Sequence, residues 1–398
     1  MDSALAGIRV IELGQDIAGG YCAKLLAGYG ADVITVEAPG GGGRIRREGP
    51  FANDAAPRET GAMHLYLDTG KQSITLDVET VSGATLLGRL LEHADALVVD
   101  GPHLWLDDLG LDYETRREQF PKLVTTLVST FGQSGPYADY SSTNLTAFAA
   151  GGQMAMTGEP DREPLKNGGY QAEYQAGLNA FTATLAGLWA VDDTGSGDEI
   201  DIAAMEVMAA TLEASLNTYG YLHTSLLGKR RGNILSSVIG IYPCEDGYLG
   251  VHAMPRNWPA LARLIGGDEM ANDERFASGP ARLQHEDELR ATLYAWAGET
   301  TKREAYAQAG KLRAPVAYVH DMQDLYDSPQ LAARDYFDTV EHPLAGTLRY
   351  PGAPAGMSET PWETRRAPLL GEHNTAVYQG LLGLTAADLA VLRGEGVI

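Results

Sequence analysis

The first 130 residues alternate between short β-branched runs and helical stretches, and no other feature of the chain restricts its fold as much. Ile8 to Leu13 is an apolar run with the composition of a strand. Ala18 to Leu26 follows with helical periodicity and small residues, and Asp32 to Glu37 reads as a second strand. Two strands joined through a helix imply a parallel pair. The pattern continues with a strand from Ser73 to Asp77, a helix from Val81 to His93, and strands from Ala96 to Val99 and from Leu123 to Thr130. Such alternation predicts an open, doubly wound α/β sheet.

The first turn, Gly14 to Gly20, bears glycine but is not G-x-G-x-x-G. Glu37 ends the second strand, where nucleotide folds place a ribose-binding acid. Without the glycine fingerprint a dinucleotide site is not expected, whereas a Rossmann-like layer for another nucleotide-tailed ligand stays open. Gly40 to Gly43 expose backbone N–H groups, and Arg44, Arg46 and Arg47 follow at once. This stretch reads equally as a phosphate cradle or as a solvated loop. Charge narrows the choice of ligand. With 30 basic and 53 acidic residues the formal net charge is −23. That argues against a general nucleic-acid or anionic-membrane binder and leaves room for a local basic pocket.

Cys22 and Cys244 are far apart with no metal-ligand spacing, which suits a reducing cytoplasm. The N-terminus has no signal-peptide pattern, and no apolar run reaches membrane-span length. The histidines, among them His64, His93 and His103, are scattered, so no metal site is implied. Small residues from Thr146 to Met156 predict a close-packed helix. A glycine-bearing stretch, Asn167 to Gly177, then leads into a helix that reads as buried along most of Ala176 to Ala190. Glu173 stands at that junction, where free N–H groups and a positive dipole end suit a functional anion, though a first-turn glutamate is also a common structural charge. A strand at Glu199–Ile202 and a long helix from Ala203 to Leu227 come next. Gly228 to Asn233 then forms a second basic cluster and a domain boundary. Ile241–Cys244 and Tyr248–Val251 predict a hairpin, followed by helices over 258–312. Strand-like pieces return at Val316–Val319, Thr339–His342 and Leu348–Tyr350, before a final helix. The expected division is a large Rossmann-like domain over 1–228, a smaller α+β domain over 229–325, and a return to the large domain over 326–398.

Several segments match a known family in their order. They are Leu5 to Glu12, Leu26 to Glu37, Gly70 to Asp77, Phe131-Gly132-Gln133-Ser134-Gly135-Pro136-Tyr137, Thr157-Gly158-Glu159-Pro160, Asp327 to Arg334 and Leu370-Gly371-Glu372-His373. Together, over nearly the whole length, they resemble the class III CoA-transferase family, which includes formyl-CoA and carnitine CoA-transferases and α-methylacyl-CoA racemases. The resemblance implies a Rossmann-like large domain built from both chain ends, and two chains threaded into an interlocked homodimer. It implies coenzyme A or acyl-CoA as substrate, a carboxylic acid as acceptor, and no permanently bound cofactor. By position it points to CoA contacts at Ile17, Ala18, Arg44, Arg46, Arg47, Lys71, Asp100 and Tyr137. Relatives often carry an Asn-Phe pair where Asp100 and Gly101 stand here.

The family's nucleophile is an Asp in a D-x-x-x-G setting, and the matching residues here are Glu173-Tyr174-Gln175-Ala176-Gly177. The resemblance therefore implies Glu173 as the catalytic carboxylate, attacking a thioester to give a mixed anhydride and then a glutamyl-CoA thioester. The extra methylene displaces the carboxylate by roughly one bond, and misplacement of that size can cost about 10²-fold unless the backbone compensates. Two further departures stand out. The stretch after the hairpin, His252 to Trp258, has no glycine run of the kind that forms a lid in formyl-CoA transferases. Tyr140 to Asn144 lacks the histidine that racemases pair with their Asp. A CoA-transferase is the expectation, with a racemase or a CoA-binding protein without transferase activity as alternatives. Tyr137, Tyr170 and Tyr174 are candidates either for an acyl pocket or for core packing.

Overall fold

The computed structural model describes residues 3–14, 16–52, 58–101, 104–224, 230, 232, 234–236 and 238–398. The chain forms two compact units. One combines Met1–Gln153, Lys166–Gly220 and Arg334–Ile398; the other combines Met154–Leu165 and Tyr221–Ala333.

The first unit is built on a six-stranded sheet. Its strands are β1 (Arg9–Leu13), β2 (Asp32–Glu37), β3 (Gln72–Thr75), β4 (Ala96–Asp100), β5 (Val124–Ser129) and β6 (Glu199–Ala203). Their order across the sheet is β3-β2-β1-β4-β5-β6, and every neighbouring pair is parallel. This is the order of a doubly wound Rossmann-type sheet, in which chain direction across the sheet reverses between β1 and β4. The central strands are buried on both faces, as parallel strands must be. The first five strands fall within one or two residues of the β-branched runs that predict them.

Helix α1 (Ile17–Gly28) links β1 to β2, and Asp16 caps it by accepting the Ile17 N–H at 2.7 Å. Beside it lies a long helix, Gln171–Thr194. The expectation that this helix is buried along most of its length is corrected here. Only a stripe of small residues, from Ala172 through Ala176, Gly177, Ala180 and Thr184 to Gly187, is covered; Trp189 is 79% exposed. Small residues read as apolar in sequence, but their use here is to bring backbones together. A Cβ on Gly177 would stand 2.4 Å from the Ala18 carbonyl oxygen. Because that neighbour is backbone, Gly177→Ala must push α1 and the long helix apart. We expect it to destabilise the protein by about 1–3 kcal/mol, seen as a lower urea midpoint at unchanged slope.

The long helix expected from Ala203 to Leu227 is two shorter ones, Ala204–Ala210 and Ala214–Leu222. Between them Glu213 adopts φ 51°, a left-handed conformation that ends helical hydrogen bonding. Residues 225–227, and Gly228, Lys229, Arg231 and Asn233 of the second basic cluster, lie outside the described residues; Arg230 donates to the Glu159 carbonyl at 3.1 Å. The second unit carries a four-stranded sheet, with the hairpin Ile239–Cys244/Gly247–His252 at its centre. Helices Trp258–Ala271, Glu286–Gly298 and Lys302–Leu312 pack on it through Trp258, Leu261, Leu289 and Leu293.

The C-terminal stretch completes the first unit. Helix Asn374–Gly380 docks against β3, with Asn374 bracketing Thr75 through bonds of 2.8 and 2.7 Å. Val377, Tyr378 and Val397 join the same core as Ile34 and Ile74. Among the described residues, no helix is long and apolar enough to cross a membrane.

Candidate active site

A cavity of about 420 Å³ opens at the carboxyl ends of β1, β4, β5 and β6. This is where the sheet's winding reverses, the place at which open α/β sheets offer a crevice to ligands. Asp16 and Ala18 reach it from the β1 turn, Asp100 from the end of β4, and Thr130 and Tyr140 from the segment after β5. Glu173, in the first turn of the long helix, closes the set. Glycine makes the close fit of these turns possible. Gly14 has φ +93°, and a Cβ there would stand 2.2 Å from the Asp100 carbonyl oxygen.

Four carboxylates, Asp16, Asp100, Asp139 and Glu173, therefore line one cavity. Burial, then the charge of Asp16, pushes Glu173 up to about 7, with Arg44 and the Asn144 amide acting the other way. Burial and Asp16 likewise push Asp100 up to about 8, although its Oδ2 accepts the Gly19 N–H at 2.7 Å. Near neutral pH Asp100 is thus mostly protonated and Glu173 titrates. Arg44 pairs with Asp16, and with Glu48 at 3.0 Å, so it brings positive charge to the mouth of this acidic group. A carboxylate that ionises near neutrality, in a partly desolvated cleft, suits nucleophilic or general-base chemistry.

The expected CoA contacts separate on folding. Ala18, Asp100 and Glu173 meet at the cavity. Arg44 and Arg47 are exposed on the Arg44–Arg47 turn. Arg46 and Lys71, expected to face phosphate, are instead enclosed. Arg46 grips Glu37 through bonds of 2.5 and 2.8 Å, reaches Glu59 at 2.7 Å and donates to the Pro368 carbonyl at 3.1 Å. Lys71 bonds Glu12 and Asp68, both at 2.9 Å. His64 joins the two halves, with its rings' nitrogens 2.9 Å from Arg46 and 2.7 Å from Asp68. Against the penalty of burial, Lys71 and His64 hold Asp68 well below the usual carboxylate range. Glu37 is held in the same network by Arg46 and by Ser73 Oγ. Ile17 points into the core with Ile45 and Leu67. Tyr137 stands outside the cavity lining, where Tyr140 takes its place. Tyr174 packs edge-on against Tyr21 at 4.9 Å, and Tyr170 is exposed at the helix start.

Two participants were not anticipated from sequence. Asp16 had a usable signal, since an Asp just before an apolar helix is a cap and so sits at the mouth of the βα turn. Asn144 had none, because its nearness to Glu173 is created only by the packing of helix Asn144–Ala150 on the long helix. A second cavity of about 440 Å³ lies over the ends of β2 and β3, between Glu37, Gly42, Gly43, Asp77 and Trp105.

The chain belongs to CoA-transferase family III, whose sequence profile matches residues 5–374. It is 33% identical over 405 residues to the succinyl-CoA–D-citramalate CoA-transferase of Chloroflexus aurantiacus, covering 99% of this chain and 98% of that one. The formyl-CoA:oxalate CoA-transferase of Streptomyces avermitilis is 30% identical over 422 residues, covering 100% of both. A crystal structure of a CaiB/BaiF family protein from Brucella suis superposes with a TM-score of 0.85 at 30% identity, covering 96% of this chain and 100% of that one. Family and relatives together support a transferase.

Proposed function

We propose that this protein moves CoA from an acyl-CoA thioester to a free carboxylic acid, with Glu173 as the nucleophile. The observation that carries this reading is the placement of Glu173 at the switch-point cavity, half-buried and ionising near pH 7. One carboxylate oxygen attacks the thioester carbonyl carbon and CoA leaves as thiolate, giving a mixed anhydride. The thiolate then attacks the glutamyl carbonyl, the donor acid departs, and a glutamyl-CoA thioester remains. The acceptor carboxylate runs the same steps in reverse. The nucleotide end of CoA fits the second cavity over the glycine-bearing loop, with Arg44 and Arg47 at hand for phosphates. A second copy of the chain is part of this reading: Leu178, Trp189 and Leu216 leave large apolar surface exposed on the first unit.

The test is intact-protein mass spectrometry after incubation with acetyl-, succinyl-, branched-acyl- and aromatic-acyl-CoA. A CoA-sized adduct on the Glu173 peptide, removed by hydroxylamine, is expected. Because the ionised carboxylate is the nucleophile, adduct formation should accelerate as pH rises through about 7 and level off above it. CoA binding without an adduct from any donor would reject the reading.

A further inference from the structure

Two polar atoms of the first unit lack partners at the same place. Glu173 Oε2 and Asn144 Nδ2 are both buried, and neither makes a hydrogen bond. Asn144 is only 8% exposed, and its amide lies close enough to act on the Glu173 carboxylate as a donor that favours the ionised form, although neither Nδ2 nor Oε2 completes a bond. Buried polar groups in folded proteins are almost always bonded, so a donor and an acceptor enclosed together without a bond point to a bond made during reaction. The two oxygens of Glu173 are also inequivalent. Glu173 lines the cavity while Oε2 is enclosed, which leaves Oε1 to meet the substrate carbonyl.

We propose that Asn144 is a catalytic residue whose Nδ2–H donates to Glu173 Oε2 when that oxygen becomes the oxyanion of the glutamyl tetrahedral intermediate. The assignment rests on Glu173 being the nucleophile. Once Oε1 is acylated, Oε2 is the enzyme's own carbonyl oxygen. Attack of CoA thiolate on Cδ forms the C–S bond and moves the C=O electron pair onto Oε2. The pair returns as the Cδ–Oε1 bond breaks, and the donor acid leaves as a carboxylate carrying Oε1. When the acceptor carboxylate attacks the glutamyl thioester, charge appears on Oε2 again and thiolate is expelled. In both steps a donor fixed beside Oε2 acts on charge that exists only in the transition state, and no proton needs to move. The first attack, on the substrate carbonyl, places its oxyanion elsewhere and does not use Asn144.

The test compares Asn144→Ala and the near-isosteric Asn144→Asp in the full-length protein, by acid quench and intact mass after mixing with acyl-CoA. Asn144→Ala should form the glutamyl-CoA adduct about 10²–10³-fold more slowly, while acyl-CoA affinity and thioester hydrolysis through the anhydride stay within a few-fold of wild type. Asn144→Asp, which replaces a donor by a carboxylate, should be slower still with its melting temperature preserved; it decides the matter if the alanine variant does not fold. An adduct formed at the wild-type rate in either folded variant overturns the role of Asn144, and so does a loss of acyl-CoA binding as large as the loss of rate. In both cases the wild-type adduct leaves Glu173 in place. No adduct in the wild type removes the nucleophile and this role together.

Discussion

Glu173→Gln should lower CoA transfer by about 10⁴-fold or more, the scale on which removal of a covalent nucleophile is felt. The amide keeps the shape and packing of the side chain but has no carboxylate oxygen with which to form an anhydride. Two of the other carboxylates that line the cavity are engaged elsewhere. Asp100 is mostly protonated near neutrality and spends Oδ2 on the Gly19 N–H, and Asp16 is paired with Arg44. Glu173→Asp keeps the chemistry and withdraws the carboxylate by one methylene, so it should retain activity reduced by about 10²-fold. The gap between the two variants separates chemistry from geometry. Initial transfer rates with one donor–acceptor pair, read with the adduct assay, are sufficient. A Gln variant with transfer near wild type would show that the nucleophile lies elsewhere.

The second large effect falls on stability. Arg46→Ala should destabilise the protein by about 3–5 kcal/mol, the cost of removing one partner from a buried ion pair. Arg46 and Glu37 are both fully buried, and the guanidinium fork meets the two carboxylate oxygens separately at 2.5 and 2.8 Å. Without it Glu37 keeps, among the described residues, Ser73 Oγ at 2.6 Å and the Gly43 N–H at 3.2 Å, too little to hold an enclosed charge. Arg46→Lys should recover only part of the loss, because an ammonium cannot span Glu37, Glu59 and the Pro368 carbonyl at once. Urea denaturation of the three proteins measures this. A loss under about 1 kcal/mol for the alanine variant would place the network in the range of surface ion pairs and refute its structural role.

Parallel strands are buried on both faces, so their residue choice is dictated locally and shows as β-branched runs; that is why β1 to β5 were legible. Burial of the long helix was not, because Ala and Gly carry the same apolar signal whether they close a helix contact or merely occupy a turn. The three arginines after the glycine loop are alike in sequence. Only the turn over Arg44–Arg47 sends Arg46 inward, and its partners Glu59 and Pro368 lie far along the chain. The enclosure of Lys71 is hidden in the sequence for a similar reason, since Glu12 is 59 residues away. Glu173 could be singled out only through its family resemblance, and Asn144 needed the packed helices themselves.

The contacts made by the tail also govern how the protein can be born. Strand β3 is an edge of the sheet, and the groups that cover it come from the other end of the chain. Ser73 exchanges bonds with His373, Thr75 with Asn374, and Asp77 donates to the Val397 carbonyl at 2.7 Å. Thr75 and Asn374 are 299 residues apart. At about 5–20 residues per second, a ribosome needs roughly 15–60 s to deliver the second after the first. Throughout that interval β3 lacks its cover, and an uncovered sheet edge is a template to which strands of other chains can add.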